Sequence, residues 1–426
     1  MIIKDLKSLF ASIGYFFKLI FISKEYDVVF VGSAYFNRGK KGENLLFKPM
    51  IENCKKNDLS YVVFEDTDLK GEYEKFARFE ESTPFDFISL VQVIFRKIYN
   101  LIYKKPITEK ELYIREFKIS KIVKQLFFNK FRSKIYITLL WNNVTLWRTI
   151  NHDACVVDYQ HGIIFDGHDR YIKNGQPPKV KSSNDVFTLV YGDVFKNILI
   201  NSDKSNFYNE ENVKKIGFNK TLNKQKKPIT GKKKIIFTLQ IVPDFNQEDN
   251  DLYIKMVQKL ISTNANFLSK NNYEIIFKHH PRHNTKNCRD IYMKRDFISF
   301  DNETPLSDLL NNAYIHITFH STSAIEAAVM NVPTVFIDMH EKFSPNEIFI
   351  KQYKYPYKDS VVKDYKDLEY ILSKLNTKHI YKKFCDDTYE WSQELYSDFD
   401  EKAFEHFLLD RINIHKKNVG GRAYQK

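Results

Sequence analysis

The segment NAYIHITFHSTSAIEAAVMNVPTVFID, residues 312–338, contains the pattern that decides the fold. It begins with a short apolar run, passes through three consecutive hydroxyl residues, and then has the apolar spacing of a helix before Pro333 and a second apolar run. A strand, a turn, a helix and a second strand in this order form a βαβ unit, which pairs parallel strands. The segment therefore predicts an α/β fold with a parallel sheet.

The same alternation extends over most of the chain. Further apolar runs typical of buried strands lie at 26–32, 59–66, 134–141, 154–162, 186–193, 235–240, 273–284 and 297–302. Helical spacing separates many of these runs, which is the order expected of an open sheet with helices on both faces. Residues 219–234 break the pattern with Lys, Pro and Gly and have no apolar period. They predict a linker between two domains.

A chain of 426 residues is too long for one ordinary core. We predict an N-terminal Rossmann-like domain at 1–222 that carries an N-terminal amphipathic helix. A second Rossmann-like domain is predicted at 232–385. Helices at 386–426 are predicted to cross back to the N-terminal domain.

The charge balance favours anionic partners. The chain has 66 Lys and Arg against 53 Asp and Glu, a formal net charge of +13. Sugar nucleotides and anionic lipid fit this balance. Nucleic acid is not an expected partner, because the basic residues are scattered and no nucleic-acid-binding signature is present. The four cysteines lie far apart without a CxxC pair, which is typical of a reducing cytoplasm.

The N-terminal segment LFASIGYFFKLIFIS, residues 9–23, is apolar but too short to span a bilayer. It has Lys18 in its middle and no cleavage site for a signal peptidase. We expect an amphipathic helix that either packs on its own protein or lies on a membrane surface. The C-terminal segment, residues 407–426, leaves the same two alternatives.

The first candidate site is the segment FKHHPRH, residues 277–283, at the end of an apolar run. Ligands of open parallel sheets bind beyond the carboxyl ends of the strands. Pro281 holds His280 extended, and Lys278 and Arg282 supply positive charge for a phosphate. A polar surface turn is the plain alternative. A metal site is another, although no carboxylate motif lies near the histidines.

The second candidate site is the hydroxyl turn Ser321, Thr322 and Ser323. Small hydroxyl residues where a helix begins allow a phosphate to approach closely and add hydrogen-bond donors. Glu326, one turn later, would lie on the ligand side and hold ribose hydroxyls. Alternatively, Ser323 and Glu326 form a capping box and only satisfy the first helical turn.

The third candidate site is VVDYQHGIIFDGHDRY, residues 156–171, where an apolar run ends in polar residues. His161 beside a glycine is suited to general base catalysis near neutral pH. Asp158 would orient His161 or act as the base itself, and a structural histidine is the alternative. The residues expected to contact a second substrate are Gln160, Asp166, His168 and Arg170.

Together these segments resemble bacterial GT-B-type glycosyltransferases that build capsule and lipopolysaccharide. The resemblance rests on the order of a QHG strand end, VYGDVFKNIL followed by KKIGF, a Lys-His-Pro segment, and a Ser/Thr-rich helix start before EAAVMNVPTVFID. It covers residues 154–338 and extends to the first 150 residues only by architecture. It implies a GT-B-like fold in which two Rossmann-like doubly wound domains face each other across a cleft.

Within that group the chain is similar to CMP-sugar enzymes, namely sialyltransferases and Kdo transferases, and to teichoic-acid glycerophosphotransferases. The resemblance implies that the 232–385 domain binds the nucleotide-sugar and the 1–222 domain the acceptor. It makes His280 and Pro281 part of a cytidine and phosphate pocket, and residues 321–323 the phosphate-binding turn. His161 matches the histidine of the polymerases' HG element. The sialyltransferase Asp/Glu-Asp/Glu-Gly is replaced by Tyr-Gln-His-Gly at 159–162, which leaves the base and the sugar open.

The implied activity is transfer of a sugar from a nucleotide-activated donor, such as CMP-Kdo or a CMP-nonulosonic acid, to a growing bacterial surface glycan. His161 or Asp158 would be the base of an inverting mechanism, and a retaining mechanism remains open. The alternatives are a CDP-glycerol-type glycerophosphotransferase, a UDP- or GDP-sugar glycosyltransferase, a nucleotide-sugar epimerase of the same fold, and a non-catalytic scaffold for carbohydrate assembly.

The expected partners are a nucleotide-sugar donor and a lipid-linked or glycan acceptor. No cofactor is expected, and the absence of a DxD motif in a strand-loop context argues against an obligatory metal. We expect a cytoplasmic protein that contacts the cytoplasmic face of the inner membrane through its basic amphipathic ends.

Overall fold

The computed structural model describes residues 6–34, 42–66, 78–103, 105, 106, 108–139, 143–219, 231–242, 245–280, 283, 291 and 293–423, with side chains to 417. The chain divides into two compact units. Unit 1 comprises Met1–Lys220 and Asp398–Lys426, and unit 2 comprises Thr221–Ser397. The chain thus returns to unit 1 at Asp398 rather than at the predicted residue 386.

Unit 1 is built on seven parallel strands. They are β1 (Lys24–Ser33), β2 (Tyr61–Asp66), β3 (Thr83–Pro84), β4 (Phe131–Leu139), β5 (Cys155–Tyr159), β6 (Phe187–Val190) and β7 (Val213–Lys215). Their order in the sheet is β3-β2-β1-β4-β5-β6-β7. The order reverses between β1 and β4, so these two strands flank the topological switch point.

In the described part of unit 1, one helix precedes β1 and six lie between the strands. They are α1 (Leu6–Phe21), α2 (Lys48–Lys56), α3 (Asp86–Ile102), α4 (Glu109–Val123), α5 (Val144–Ile150), α6 (Lys179–Ser182) and α7 (Asp193–Ser202). Helix α4 continues as a π-helical turn, Lys124–Phe128.

Aromatic side chains form much of the core of unit 1. Trp147 of α5 stacks on Phe64 of β2 at 6.0 Å and on Tyr136 of β4 at 5.0 Å. Phe16 of α1 packs against Phe64 and Phe128 in the same cluster. These rings stabilise the fold by burial and by their contacts with each other. The aromatic residues of this cluster therefore form part of the core of unit 1.

Unit 2 is built on six parallel strands. They are β8 (Lys233–Leu239), β9 (Tyr273–His279), β10 (Ile298–Phe300), β11 (Ile315–Thr318), β12 (Thr334–Ile337) and β13 (Val361–Val362). The helices are α8 (Gln247–Thr263), α9 (Ala265–Lys270), α10 (Leu306–Leu310), α11 (Ser323–Val329), α12 (Asp367–Leu375) and α13 (Lys378–Leu395).

The strand order of unit 2 is β10-β9-β8-β11-β12-β13. The predicted strand, turn, helix and strand of residues 312–338 are present as β11, α11 and β12. Strand β11 pairs with β8 on one side and with β12 on the other. The switch point of this sheet therefore lies between β8 and β11, directly before the hydroxyl turn.

The C-terminal helix α14 (Glu401–Ala423) belongs to unit 1. The chain re-enters this unit where Phe218 pairs with Asp398 and Asp400 N–H donates to Ile216 C=O at 2.8 Å. Helix α14 then contacts β4 and α2. In the described part of the chain, no helix is both long and apolar enough to cross a membrane.

Candidate functional site

The first and second candidate sites of the sequence lie together at the carboxyl edge of the unit 2 sheet and form one site. Gln240 follows β8 directly, and its Oε1 accepts a hydrogen bond from His320 N–H at 3.2 Å across the switch point. His280 follows β9, and its N–H donates to Leu239 C=O at 3.1 Å. Half-buried polar residues at the ends of three adjacent strands are thus held together at the edge where open sheets bind ligands.

The three hydroxyls of the turn have different environments. Ser323 is buried, and its Oγ lies 2.9 Å from Thr238 Oγ1. Ser321 Oγ accepts a hydrogen bond from Ser323 N–H at 3.3 Å. Thr322 is half-buried, and its hydroxyl makes no hydrogen bond to any described residue. Thr322 is therefore the hydroxyl best placed to meet a ligand.

The capping-box alternative is wrong. Helix α11 begins at Ser323 with Thr322 as its N-cap residue, and the side chain of Thr322 makes no capping hydrogen bond. Ser323 therefore lies one position too late to be the N-cap of a box with Glu326, and its hydroxyl points to Thr238 on β8.

A buried polar network lies beneath the turn. Thr238 Oγ1 lies 3.0 Å from both His316 Nε2 and Thr318 Oγ1, in addition to its contact with Ser323. His316 Nδ1 lies 3.0 Å from Thr334 Oγ1. Burial lowers the pKa of His316 to about 3, so its imidazole is neutral at physiological pH. The network fixes the first residue of α11 to the centre of the sheet.

Glu326 lies in the first turn of α11 and is half-buried. Burial raises the pKa of its carboxyl from 4.5 to about 7. Burial and the charge of Glu326 also raise the pKa of Tyr396. Glu326 therefore changes its charge in the physiological pH range, in contrast to an ordinary glutamate.

The stability of the protein is expected to fall between pH 4.5 and 7 because of Glu326. The folded state holds this proton more tightly than the unfolded chain, so folding takes up a proton in that window and is disfavoured as the pH rises. A Glu326→Gln variant stays neutral throughout. Urea unfolding at pH 5 and pH 8 should show a larger gain from Glu326→Gln at pH 8. Equal gains in stability at pH 5 and pH 8 would contradict the raised pKa of Glu326.

The predicted basic residues of this site are not all placed as expected. Lys278 Nζ donates to the carbonyls of Asp301 and Thr304 at 3.3 and 2.6 Å, so its charge is directed to the turn after β10. Pro281 and Arg282 lie outside the described residues. The prediction that Lys278 faces a phosphate is therefore corrected, because two backbone carbonyls hold its ammonium group.

The neighbouring histidines pack on each other. The rings of His279 and His283 stack at 3.9 Å, and His283 Nδ1 lies 3.2 Å from Ile241 C=O. Among the described residues, no group of three or more His, Cys, Asp or Glu is arranged to hold a metal ion.

The third candidate site of the sequence lies at the carboxyl end of β5 in unit 1, and it contains a buried ion pair. Asp158 Oδ2 accepts from Lys181 Nζ at 2.5 Å, and both side chains are 0% exposed. Lys181 Nζ also lies 4.2 Å from the centre of the Tyr171 ring. Burial lowers the pKa of Lys181, and the charge of Asp158 opposes that shift. Asp158 is thus paired inside the protein, which corrects its assignment as a catalytic base.

Gln160 is also structural. Its Nε2 donates to Gly162 C=O at 2.8 Å, and its Oε1 accepts from Tyr191 N–H at 2.8 Å. The side chain is fully buried. The prediction that Gln160 contacts the second substrate is therefore wrong, because both ends of its amide are used to join β5 to the end of β6.

His161 is the half-buried residue at this strand end. Its N–H donates to the hydroxyl of Tyr171 at 3.2 Å, so the buried Tyr171 fixes the backbone that carries the imidazole. Gly162 follows with φ of +77°, a conformation that favours glycine. His161 thus starts a turned loop at the edge of the sheet.

The rest of this loop has buried apolar residues on one side and exposed polar residues on the other. Ile164 and Ile172 are fully buried and anchor it. Asp166 and Arg170, two of the residues predicted to contact a second substrate, are exposed. His168 is half-buried against Phe165 at 4.8 Å, and burial lowers its pKa. His168 is therefore better suited to holding the loop than to carrying charge.

Sequence reasoning missed several residues of both sites. Gln240 and His320 were not predicted as site residues, although each directly follows an apolar run and therefore stands at a strand end. Lys181 gave no signal, since it resembles any lysine of a short polar helix. Its role depends on Asp158, 23 positions earlier in the chain.

Two parallel-sheet α/β units, each with polar residues at the carboxyl ends of its strands, define a GT-B-like fold, and comparison with solved structures confirms this fold. The wall teichoic acid polymerase TagF, as its H444N variant, aligns with a TM-score of 0.54 and 12% identity over 93% of this chain and 91% of that one. The glycosyltransferase SnogD from Streptomyces nogalater aligns with a TM-score of 0.52 and 9% identity over 91% and 100%.

A third similar structure is the UDP-GlcNAc 2-epimerase from Methanocaldococcus jannaschii, with a TM-score of 0.50 and 12% identity over 91% of this chain and 99% of that one. No protein-family model matches the sequence, and no curated protein matches it. Identities this low establish the fold alone. The chemistry has to be argued from the residues of the two sites.

Proposed function

We propose that the protein is a glycosyltransferase that moves a sugar from a nucleotide-activated donor to a growing bacterial surface glycan, with a CMP-sugar such as CMP-Kdo or a CMP-nonulosonic acid as donor. The observation that carries the proposal is the edge of the unit 2 sheet. There the switch point brings together Gln240, His280 and the hydroxyl turn. This is the position at which doubly wound sheets bind nucleotides.

In this proposal unit 2 holds the donor. The hydroxyl of Thr322 donates to a phosphate oxygen, and the network beneath Ser323 keeps the turn rigid, so little reorganisation accompanies the reaction. His280 contributes to the cytidine and phosphate pocket. Glu326, one turn further, accepts from the ribose hydroxyls, most strongly when it is ionised above pH 7.

Unit 1 holds the acceptor and supplies the base. His161 removes the proton of the attacking hydroxyl in an inverting mechanism. Asp166 and Arg170, exposed on the same loop, contact the acceptor. The buried pair of Asp158 and Lys181 supports this loop through Tyr171, whose hydroxyl accepts from His161 N–H. The proposed reaction requires neither a redox cofactor nor an obligatory metal.

We further propose that the protein works at the cytoplasmic face of the inner membrane, where lipid-linked acceptors of surface glycans are extended. Its formal net charge of +13 supports contact with anionic lipid. Free cysteines at 54, 155 and 385 fit the reducing side of that membrane.

A CDP-glycerol-type glycerophosphotransferase is the second candidate. It is favoured by the structural similarity to the wall teichoic acid polymerase TagF, which covers 93% of this chain. Both candidates use a cytidine nucleotide. Acceptor assays with CMP-sugars and with CDP-glycerol would separate them.

Calorimetry with CMP, CDP, UMP, UDP and GDP tests which nucleotide the protein binds. We expect CMP or CDP to bind selectively, and Thr322→Val to weaken the dissociation constant about tenfold to a hundredfold by removing a charge-assisted hydrogen bond. His280→Ala should weaken binding as well. The matched control is Thr263→Val, an exposed threonine at the end of α8 in the same unit, which should bind as the parent does.

Other outcomes would redirect the assignment. Preference for UDP or GDP would replace the cytidine donor but keep a glycosyltransferase. Conversion of UDP-GlcNAc without an acceptor would indicate an epimerase. A folded protein that binds none of the five nucleotides would be a scaffold for carbohydrate assembly.

A further inference from the structure

Helix α1 exposes large apolar side chains in a regular stripe. Phe21 is 74% exposed and Phe10 is 66% exposed. Leu6 and Phe17, which are about half exposed, lie on the same helical face, since the four residues follow each other at intervals of four, seven and four. Four large apolar side chains on one face of a short helix form a contiguous patch, which soluble surfaces rarely show without a partner.

The opposite face of α1 is buried and partly polar. Ser8 Oγ donates to Asp86 Oδ2 at 2.6 Å, and Ser12 Oγ accepts from Phe87 N–H at 3.0 Å. Both serines lie in the interior together with Phe16. The protein thus buries two hydroxyls of this helix and leaves three phenylalanines in the solvent. Folding of the unit alone does not explain this arrangement.

Helix α3 repeats the pattern. Its buried residues include Asp86 and Gln92, whereas Leu101 is 86% exposed and Ile102 is 68% exposed. Other aliphatic side chains of α3, α4 and the π-helical turn are 38 to 47% exposed: Val93, Ile94, Ile98, Leu112, Ile114, Ile122 and Leu126.

The three helices adjoin. Phe17 of α1 contacts Phe87 of α3 and Phe127 of the π-helical turn, with ring centres 6.2 and 6.5 Å apart. Helix α3 is joined to α4 by an ion pair between Arg96 and Glu116. We call the exposed apolar side chains of α1, α3, α4 and the π-helical turn the apolar face.

Positive charge surrounds the apolar face. Residues 6–24 and 86–130 contain 13 Lys and Arg but only four Asp and Glu. Lys7 and Lys18 are exposed on α1 and lie beside the phenylalanine stripe. The segments that carry the apolar face therefore have a formal net charge of +9, out of +13 for the whole chain. The long aliphatic stems of lysines allow the ammonium groups to reach lipid phosphates while the stems contact apolar groups.

We propose that the apolar face of unit 1 docks onto a bilayer rich in anionic lipid. Phenylalanine and leucine side chains enter the boundary between headgroups and acyl chains, and the surrounding lysines bind the phosphates. A helix of 16 residues is about 24 Å long and lies in the plane of the interface. A second copy of the chain fits less well, because pairing two such faces would bring like charges together.

The C-terminal helix contributes less apolar surface. Phe404, Phe407, Leu408 and Ile412 of α14 are buried in unit 1, whereas Leu409 and Ile414 are each 39% exposed. The proposed docking surface therefore consists of α1 with α3, α4 and the π-helical turn.

Co-sedimentation with vesicles tests the proposal. The full chain should bind vesicles of phosphatidylcholine containing about one third phosphatidylglycerol, and binding should weaken as salt is added. The variant with Phe10→Ser, Phe21→Ser and Leu101→Ser should show a partition coefficient at least about tenfold lower, since three large apolar groups no longer enter the interface. Lys7→Glu with Lys18→Glu should reduce binding to the anionic vesicles only.

The matched control is Tyr370→Ser, a large side chain that is 59% exposed in unit 2 and should leave vesicle binding unchanged. Thermal unfolding of each variant shows that it is folded. Equal vesicle binding by the triple variant, or no binding by the parent, would overturn the proposal. Loss of a dimer in the triple variant without loss of vesicle binding would assign the face to a second copy. Vesicle binding requires no nucleotide, so this test is independent of the proposed transferase activity.

Discussion

Replacing Lys181 with Met is expected to lower the free energy of unfolding of unit 1 by about 3 to 5 kcal/mol. The substitution leaves the carboxylate of Asp158 fully buried without the ammonium group that lies 2.5 Å away. It also removes the cation beside the Tyr171 ring. A buried charge without its partner costs far more than the pair itself contributes.

Tryptophan fluorescence during urea unfolding measures this effect. A Trp391→Phe background removes the tryptophan of unit 2 and leaves those at 141 and 147, both within unit 1. Lys179→Met is the matched control, because Lys179 is an exposed lysine of the same helix α6 and its loss should change stability little. If both lysine variants unfold at the same urea concentration, the buried pair is not the stabilising contact inferred above.

A double variant separates the effect of the unpaired charge from the effect of lost packing. Asp158→Asn combined with Lys181→Met leaves no unpaired charge and should recover part of the stability lost by Lys181→Met alone. The same comparison informs on the site. Tyr171 holds the backbone of His161, so Lys181→Met should also disturb the loop that carries the proposed base.

Gly217→Ala is expected to destabilise unit 1 by about 2 to 5 kcal/mol. The glycine has φ of +80°, and a Cβ at this position would lie 2.0 Å from the carbonyl oxygen of Asp398. Both partners are backbone, so neither can swing aside. This contact is where the chain re-enters unit 1, and we expect α14 to become sensitive to limited proteolysis in the variant.

Gly14→Ala provides the control for Gly217→Ala. Gly14 lies in α1, and no atom lies within 4 Å of an added Cβ. Alanine should raise the free energy of unfolding there by about 0.5 to 1 kcal/mol, because it favours the helix. The two variants carry the same chemical change and should move the urea midpoint in opposite directions. A similar small effect of both would show that the close approach of residues 217 and 398 is not required.

The sequence was sufficient for the fold class and for most elements. The apolar run, hydroxyl turn, helix and second run at 312–338 became β11, α11 and β12 with few changes. Such predictions succeed because the periodicity of apolar residues indicates which side of a strand or helix is buried. The placement of polar residues at strand ends follows from the same pattern, so the two candidate sites could be located to within a few residues.

What each polar side chain does was decided by the tertiary structure. Asp158, Gln160 and Lys278 have the residue types expected of a site, yet buried or backbone partners hold all three. Of three similar hydroxyls, that of Ser323 lies against Thr238, that of Ser321 accepts from a backbone N–H, and that of Thr322 makes no hydrogen bond to a described residue. The sequence determined where strands end, because that depends on local composition. It did not determine which polar groups remain available, because hydrogen-bond and ion-pair partners come from distant parts of the chain and meet only when it folds.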